Sequence, residues 1–185
     1  MASEQANILD FEAASRVRML ERVRSLTLTR DALVETARQN HAIMAQVHGA
    51  VLDIIAADDW VALDHRLQHR VRTTLNADFL GLWVEGTTLP KDLSGIQVRP
   101  EGFVAELMHG QFEYLGPVSP QSEVLYKNRA AEMQSEALIR LDWGPGEALL
   151  AFAAKDRYAY GAGQGTELIS FFARAVERVI SHWAR

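Results

Sequence analysis

The sequence predicts an α+β protein in which an antiparallel sheet carries helices on one face and is preceded by a long N-terminal coiled-coil helix. Three observations lead there. Apolar residues recur at heptad spacing through residues 11–57; two strand-like runs, 136–141 and 148–154, flank the turn-forming segment Asp142 to Glu147; and an amphipathic helical pattern closes the chain.

The heptad run comes first. Met19, Leu26, Leu33, Asn40, Val47 and Ile54 stand seven residues apart, and Val23, Ala37, Met44 and Val51 repeat four residues after most of them. Both rows fall on one helical face, between charged residues such as Arg22, Arg30, Asp31, Glu35 and Arg38. At 1.5 Å per residue the seam is about 50 Å long, too much apolar surface for an isolated subunit to leave in water. These ten residues are therefore expected to pair with their copies in a homodimer. Asn40 reads either as a buried seam residue that fixes register in a parallel dimer or as an exposed residue at the seam edge. Two features oppose a single helix: Ser25 to Thr29 alternates like a strand, and Gly49 costs roughly 1 kcal/mol in a helix interior and invites a kink. Residues 1–10 are polar and expected to be disordered.

The remaining chain, 58–185, reads as one globular domain. Asp58 or Asp59 can cap a helix from Trp60 to about Leu75, with Trp60, Leu63, Leu67, Val71 and Leu75 on one face. Asn76-Ala77-Asp78 is a turn. Phe79 to Glu85 is apolar on both alternating faces, as a central strand covered on both sides should be. Gly86 to Gln97 reads as loop, Pro100 and Gly110 frame a short helix, and Phe112 to Leu115 forms a short strand before the Pro-rich segment Gly116 to Pro120. The two strands 136–141 and 148–154 make a hairpin. Thr166 can cap a last helix carrying Leu168, Phe171, Phe172, Ala175, Val176, Val179, Ile180 and Trp183.

Composition excludes several functions. A net charge of −5 offers no basic field to nucleic acid. No apolar run is long enough to span a membrane, and Met1 to Asp10 lacks the features of a signal peptide, so a cytoplasmic protein is expected. With no cysteine there is no disulfide, thiolate nucleophile or Cys-type metal site. His65 and His69 are four apart on the second helix, but Arg66 follows His65 where a zinc-protease pattern needs Glu, and two surface histidines are the simpler reading. His41 and His48 flank the seam as solvated residues or as titrating ones. Gly161-Ala162-Gly163-Gln164-Gly165 lacks the Lys-Ser/Thr pair of a phosphate-binding loop. No metal site, cofactor or catalytic residue is expected.

The run Leu33 to Ala56 with Ala37-Arg38-Gln39-Asn40 inside it, the strand before Gly144, and the ending Ala148 to Phe152, Lys155 to Tyr158 and Gly165 to Leu168 resemble the bacterial GAF-like family known as domain of unknown function 484. The resemblance covers about Phe11 to Trp183. It implies a GAF/PAS-like sheet over residues 58–185, a helical N-terminal extension over 11–57 acting as a coiled-coil or signalling helix, and no established activity.

In a GAF-type domain the second sheet face lies under a loop-and-helix lid where small molecules are held. Here the lid is roughly Gly86 to Arg129. With the sheet it supplies the candidate ligand-binding residues Trp83, Phe103, Leu107, Met108, Tyr114, Tyr126, Lys127, Arg129 and Arg140, an aromatic space with a few cations suited to an anionic or amphipathic ligand; the other reading is that the aromatics simply fill a second core. Arg140 interrupts an apolar strand and needs an anion, which Asp142 or a glutamate can supply. The expected function is a non-catalytic, homodimeric regulatory module that binds an unknown small molecule and signals in trans. The alternative is a ligand-free dimeric scaffold that recruits a protein partner through the coiled coil and has a solid lid core.

Overall fold

The computed structural model describes residues 2–161 and 166–183, with side chains for 15–161 and 167–183. The chain divides into two compact units, Met1–Ile43 and Met44–Arg185. Helix α1 (Ala2–Ile55) makes up the described part of the first and supplies the opening turns of the second. It is continuous through Ser25–Thr29. The hydroxyls of Thr27, Thr29 and Thr36 donate back to the carbonyls of Val23, Ser25 and Ala32 at 2.9, 3.0 and 3.0 Å, so these β-branched residues are absorbed by the helix. The helix also begins at Ala2, where a disordered end is expected; Ala2, Glu4, Gln5, Ala6 and Leu9 are good helix formers with no Gly or Pro among them.

The second unit is a layered α+β body. After α1 come α2 (Trp60–Arg66), a π-helical turn (Leu67–Val71) and α3 (Arg72–Thr74), which together form the second helix read from the sequence. Asp59 caps it, accepting the Ala62 N–H at 2.7 Å. The sheet has five strands in the order β2-β1-β5-β4-β3: β1 (Phe79–Val84), β2 (Ile96–Val98), β3 (Glu113–Pro117), β4 (Ser135–Asp142) and β5 (Glu147–Ala154). It is mixed rather than purely antiparallel, because β2 runs parallel to β1 with Leu82 opposite Ile96. That strand falls in a stretch that reads as loop. Its three residues carry no alternation to announce it, and it is held from outside: the buried Asp64 on α2 accepts Ser94 N–H and Oγ–H, Gly95 N–H and Ile96 N–H at 2.7–3.0 Å. β3 is the other edge, where Pro117 is tolerated.

Alternation along the strands builds two cores. Leu80, Leu82, Val84, Ala137, Ile139, Leu141, Ala148, Leu150 and Phe152 face a layer made by the end of α1, α2 with its π turn, and α6 (Thr166–Trp183). Trp83, Leu138, Leu149, Ala151 and Ala153 face α4 (Phe103–Met108), α5 (Glu123–Tyr126) and the 3-10 turn Lys127–Glu132 that follows. β5 is buried on both sides and joins the two.

Val47 and Ile54, expected on the intersubunit seam, are buried in the first of these cores together with Ala50, and Ile54 is 0% exposed. Val51 packs against the same cluster. Heptad spacing reports that a helical face must be covered, not by what; here the body's own α2, β and α6 residues cover it. Gly49 stands within this packed stretch, and a Cβ placed there would only touch Thr74 Cγ2 at 4.0 Å.

Candidate functional site

The lid residues nominated by the sequence separate into three places. Trp83, Met108 and Tyr126 are buried in the second core, with Phe103, Leu107 and Tyr114 packed at its margin. Phe79 stacks on Trp83 with ring centroids 6.1 Å apart and meets Tyr126 edge-on at 5.1 Å. The Trp83 ring also lies across Gly81, where an added Cβ would come within 2.5 Å of it. This aromatic set packs as a core between the sheet and the lid. The Trp83 indole N–H is left without a partner inside it.

Two carboxylates hold the lid to the sheet, and neither was nominated from sequence. Glu85, buried just after β1, accepts the N–H groups of Gly102 and Val104 at 3.1 and 2.7 Å and so caps α4, which is preceded by Gly102 in the left-handed region. Glu136 on β4 is fully buried beneath α5; it accepts the Tyr126 hydroxyl, the Ser122 hydroxyl at 2.7 Å and the Ser119 N–H at 3.1 Å. Burial raises the Glu136 carboxyl above the usual range, against the opposing pull of these three hydrogen bonds. The Tyr126 phenol is pushed up as well, by burial first and then by the neighbouring Glu136. The signal for Glu136 in the sequence is a Glu beside the buried apolar run Ala137-Leu138-Ile139 of a strand.

The candidate cations lie elsewhere. Arg140 forms an ion pair with Glu147 across the β4–β5 hairpin and lies over the Phe112 ring at 5.8 Å. It meets a glutamate, as one of its two readings has it, and its charge is consumed there. Lys127 is exposed, with a positive φ of 52°. Arg129 is half-buried and lines a polar cleft with Arg72, Thr73, Asn76, Ala77 and Asp78. His65 and His69 stack with centroids 4.6 Å apart, and among the described residues no group of three or more His, Asp or Glu side chains gathers as a metal site. His109 ends α4 in the left-handed region, its backbone N–H reaching Ala105 O at 3.1 Å. The glycine-rich segment lies, over residues 162–165, outside the described residues.

The seam residues also divide. In the first unit Met19, Val23, Leu26 and Leu33 are exposed, Leu26 to 62% and Leu33 to 66%, as are Ala37 and Asn40. In the body Met44 is exposed too. Further along, the end of α1 and α6 border an apolar groove of about 580 Å³ lined by Val51, Ile55, Phe171, Ala175, Val179 and Trp183 among others, with Ile55 and Phe171 largely exposed. No helix among the described residues is long and apolar enough to cross a membrane.

The family described as "Protein of unknown function, DUF484" matches residues 1–185. No curated protein matches the chain.

Proposed function

We propose that this chain, which belongs to the DUF484 family of proteins of unknown function, is a non-catalytic GAF-like adaptor that self-associates through α1 and recruits a protein partner in trans. The observation that carries the reading is the uncovered apolar row Met19, Val23, Leu26 and Leu33 on a helix that, in its own unit, has no other element to pack against. A helix in water draws most of its stability from burying such a row, and the same row in a second copy is its natural complement. The groove along the end of α1 and α6 adds exposed apolar surface of the same kind in the body.

The GAF-like character is supported by the sheet with a helical layer on one side and a loop-and-helix lid on the other. The close packing of Trp83, Met108 and Tyr126 in the lid core supports a scaffold over a sensor that buries its ligand beneath the lid.

Sedimentation of the full chain at micromolar concentration tests the reading. A dimer is expected, converting to a monomer with an intact body on Leu26→Glu/Leu33→Glu, and the same variant should lose any partner recovered with the wild type. A wild-type monomer, or a dimer indifferent to both substitutions, refutes it.

A further inference from the structure

We propose that the cleft between Arg72 and Arg129 is a binding site for a small phosphomonoester that also carries a hydroxyl or amino group. The cleft has a volume of about 320 Å³ and is polar. Its two arginines come from different layers of the body: Arg72 from α3, on the helical side, and Arg129 from the 3-10 turn of the lid. Both are half-buried. Among the described residues neither guanidinium meets a carboxylate within 4.0 Å or donates a hydrogen bond to the protein. In a chain of net charge −5, two partly desolvated guanidinium forks on one small cleft, set against the single carboxylate of Asp78 in its lining, select for an anion, and a phosphate dianion suits them in charge and in its capacity for bidentate hydrogen bonds.

The rest of the lining narrows the ligand. Thr73, whose hydroxyl donates to the His69 carbonyl at 3.4 Å, and Asn76, held at a positive φ of 50°, also line it. Asp78 lines the cleft as well; one of its oxygens accepts the Lys155 N–H at 2.9 Å. A bare oxyanion would meet this carboxylate as repulsion, while a phosphomonoester with a donor group offers it a hydrogen bond. A ligand seated there would touch both the helical layer and the lid turn, and would therefore bias any equilibrium in which the turn moves against α3. The proposal goes beyond self-association and does not depend on it.

Calorimetric titration of the full chain with glycerol 3-phosphate, with inorganic phosphate, and with sodium chloride at matched ionic strength tests the site. Saturable binding of glycerol 3-phosphate is expected, weaker binding of inorganic phosphate, and none of chloride. Arg72→Gln and Arg129→Gln should each weaken the glycerol 3-phosphate affinity about tenfold or more, since each removes charge-assisted hydrogen bonds. Arg174→Gln, on the exposed side of α6, should leave it unchanged. Unliganded melting curves establish that the variants fold, and Arg→Lys at either position replaces any Gln variant that does not. No saturable binding by the wild type overturns the proposal. So does an affinity that survives either of the two cleft substitutions, or one that Arg174→Gln weakens equally.

Discussion

Glu136 concentrates the physics of the body in one side chain. A carboxylate taken out of water is costly unless its oxygens are occupied, and here Tyr126, Ser122 and Ser119 occupy them while burial still pushes its pKa up. A carboxyl whose pKa is raised on folding binds more protons in the native state, so its contribution to stability is full below its unfolded pKa and is lost as pH rises through the folded value. Glu136→Gln keeps an acceptor for Ser119 and Ser122 and removes the titration. It is expected to equal or exceed the wild type in stability at pH about 8 and to lose that advantage toward pH about 5, read from urea midpoints at each pH. Glu136→Ala instead strands the buried Tyr126 hydroxyl, while Ser122 still donates to the Ser119 carbonyl at 2.9 Å, and should cost about 1–3 kcal/mol at either pH. If the Gln variant shows the same pH slope as the wild type, the carboxyl does not titrate in the folded body.

At the scale of elements, α1 is one helix with two environments. Ile54 is sealed in the core while Leu26, four heptads earlier in the same row, is exposed. Ile54→Ala should therefore lower the body's unfolding free energy by about 2–5 kcal/mol, and Leu26→Ala should leave the body's own transition within about 0.5 kcal/mol, both read by chemical denaturation. Equal losses would mean that the row is covered alike along its length. The sequence could show this row but not the change of partner along it, because periodicity encodes a face and not its neighbour. The hairpin β4–β5, the doubly covered β1, the capped second helix and the broad face of α6 were legible for the same reason: each is specified by its own residues. β2 was not, since Asp64, thirty residues upstream, holds the segment in place. The candidate site was legible as a group of aromatics and cations. Whether they enclose space depends on side-chain volumes meeting from β1, α4 and α5, which spacing does not carry; Trp83, Met108 and Tyr126 are buried together there, and Arg129 lies on a separate cleft.

At the scale of the whole body, one sheet serves two cores, and a tyrosine is committed to each: Tyr126 to the lid core, Tyr160 against Phe152 on the helical side. Burial pushes the Tyr160 phenol up to about 12, with Asp78 adding to it, and raises Tyr126 as well. Both phenols start from a value of 10.0 in the unfolded chain, so the native state holds protons that the unfolded state releases. Their stabilising contribution is complete below pH about 10 and is lost as pH climbs through the folded values, which places alkaline unfolding in the window from about 10 to 12 and above. Because β5 contributes to both cores, ionisation of either phenol is expected to loosen the strand that the other core shares. Phenolate absorbance and near-ultraviolet circular dichroism, followed together against pH, should therefore show Tyr126 and Tyr160 ionising in step with the loss of tertiary structure, with Tyr114, raised by burial at the margin of the lid core, also ionising late. Tyr160→Phe should move that transition to higher pH, having removed one of the protons that drives it. Ionisation of all four tyrosines ahead of any change in the dichroism would separate the two cores from the titration and leave the sheet independent of its phenols.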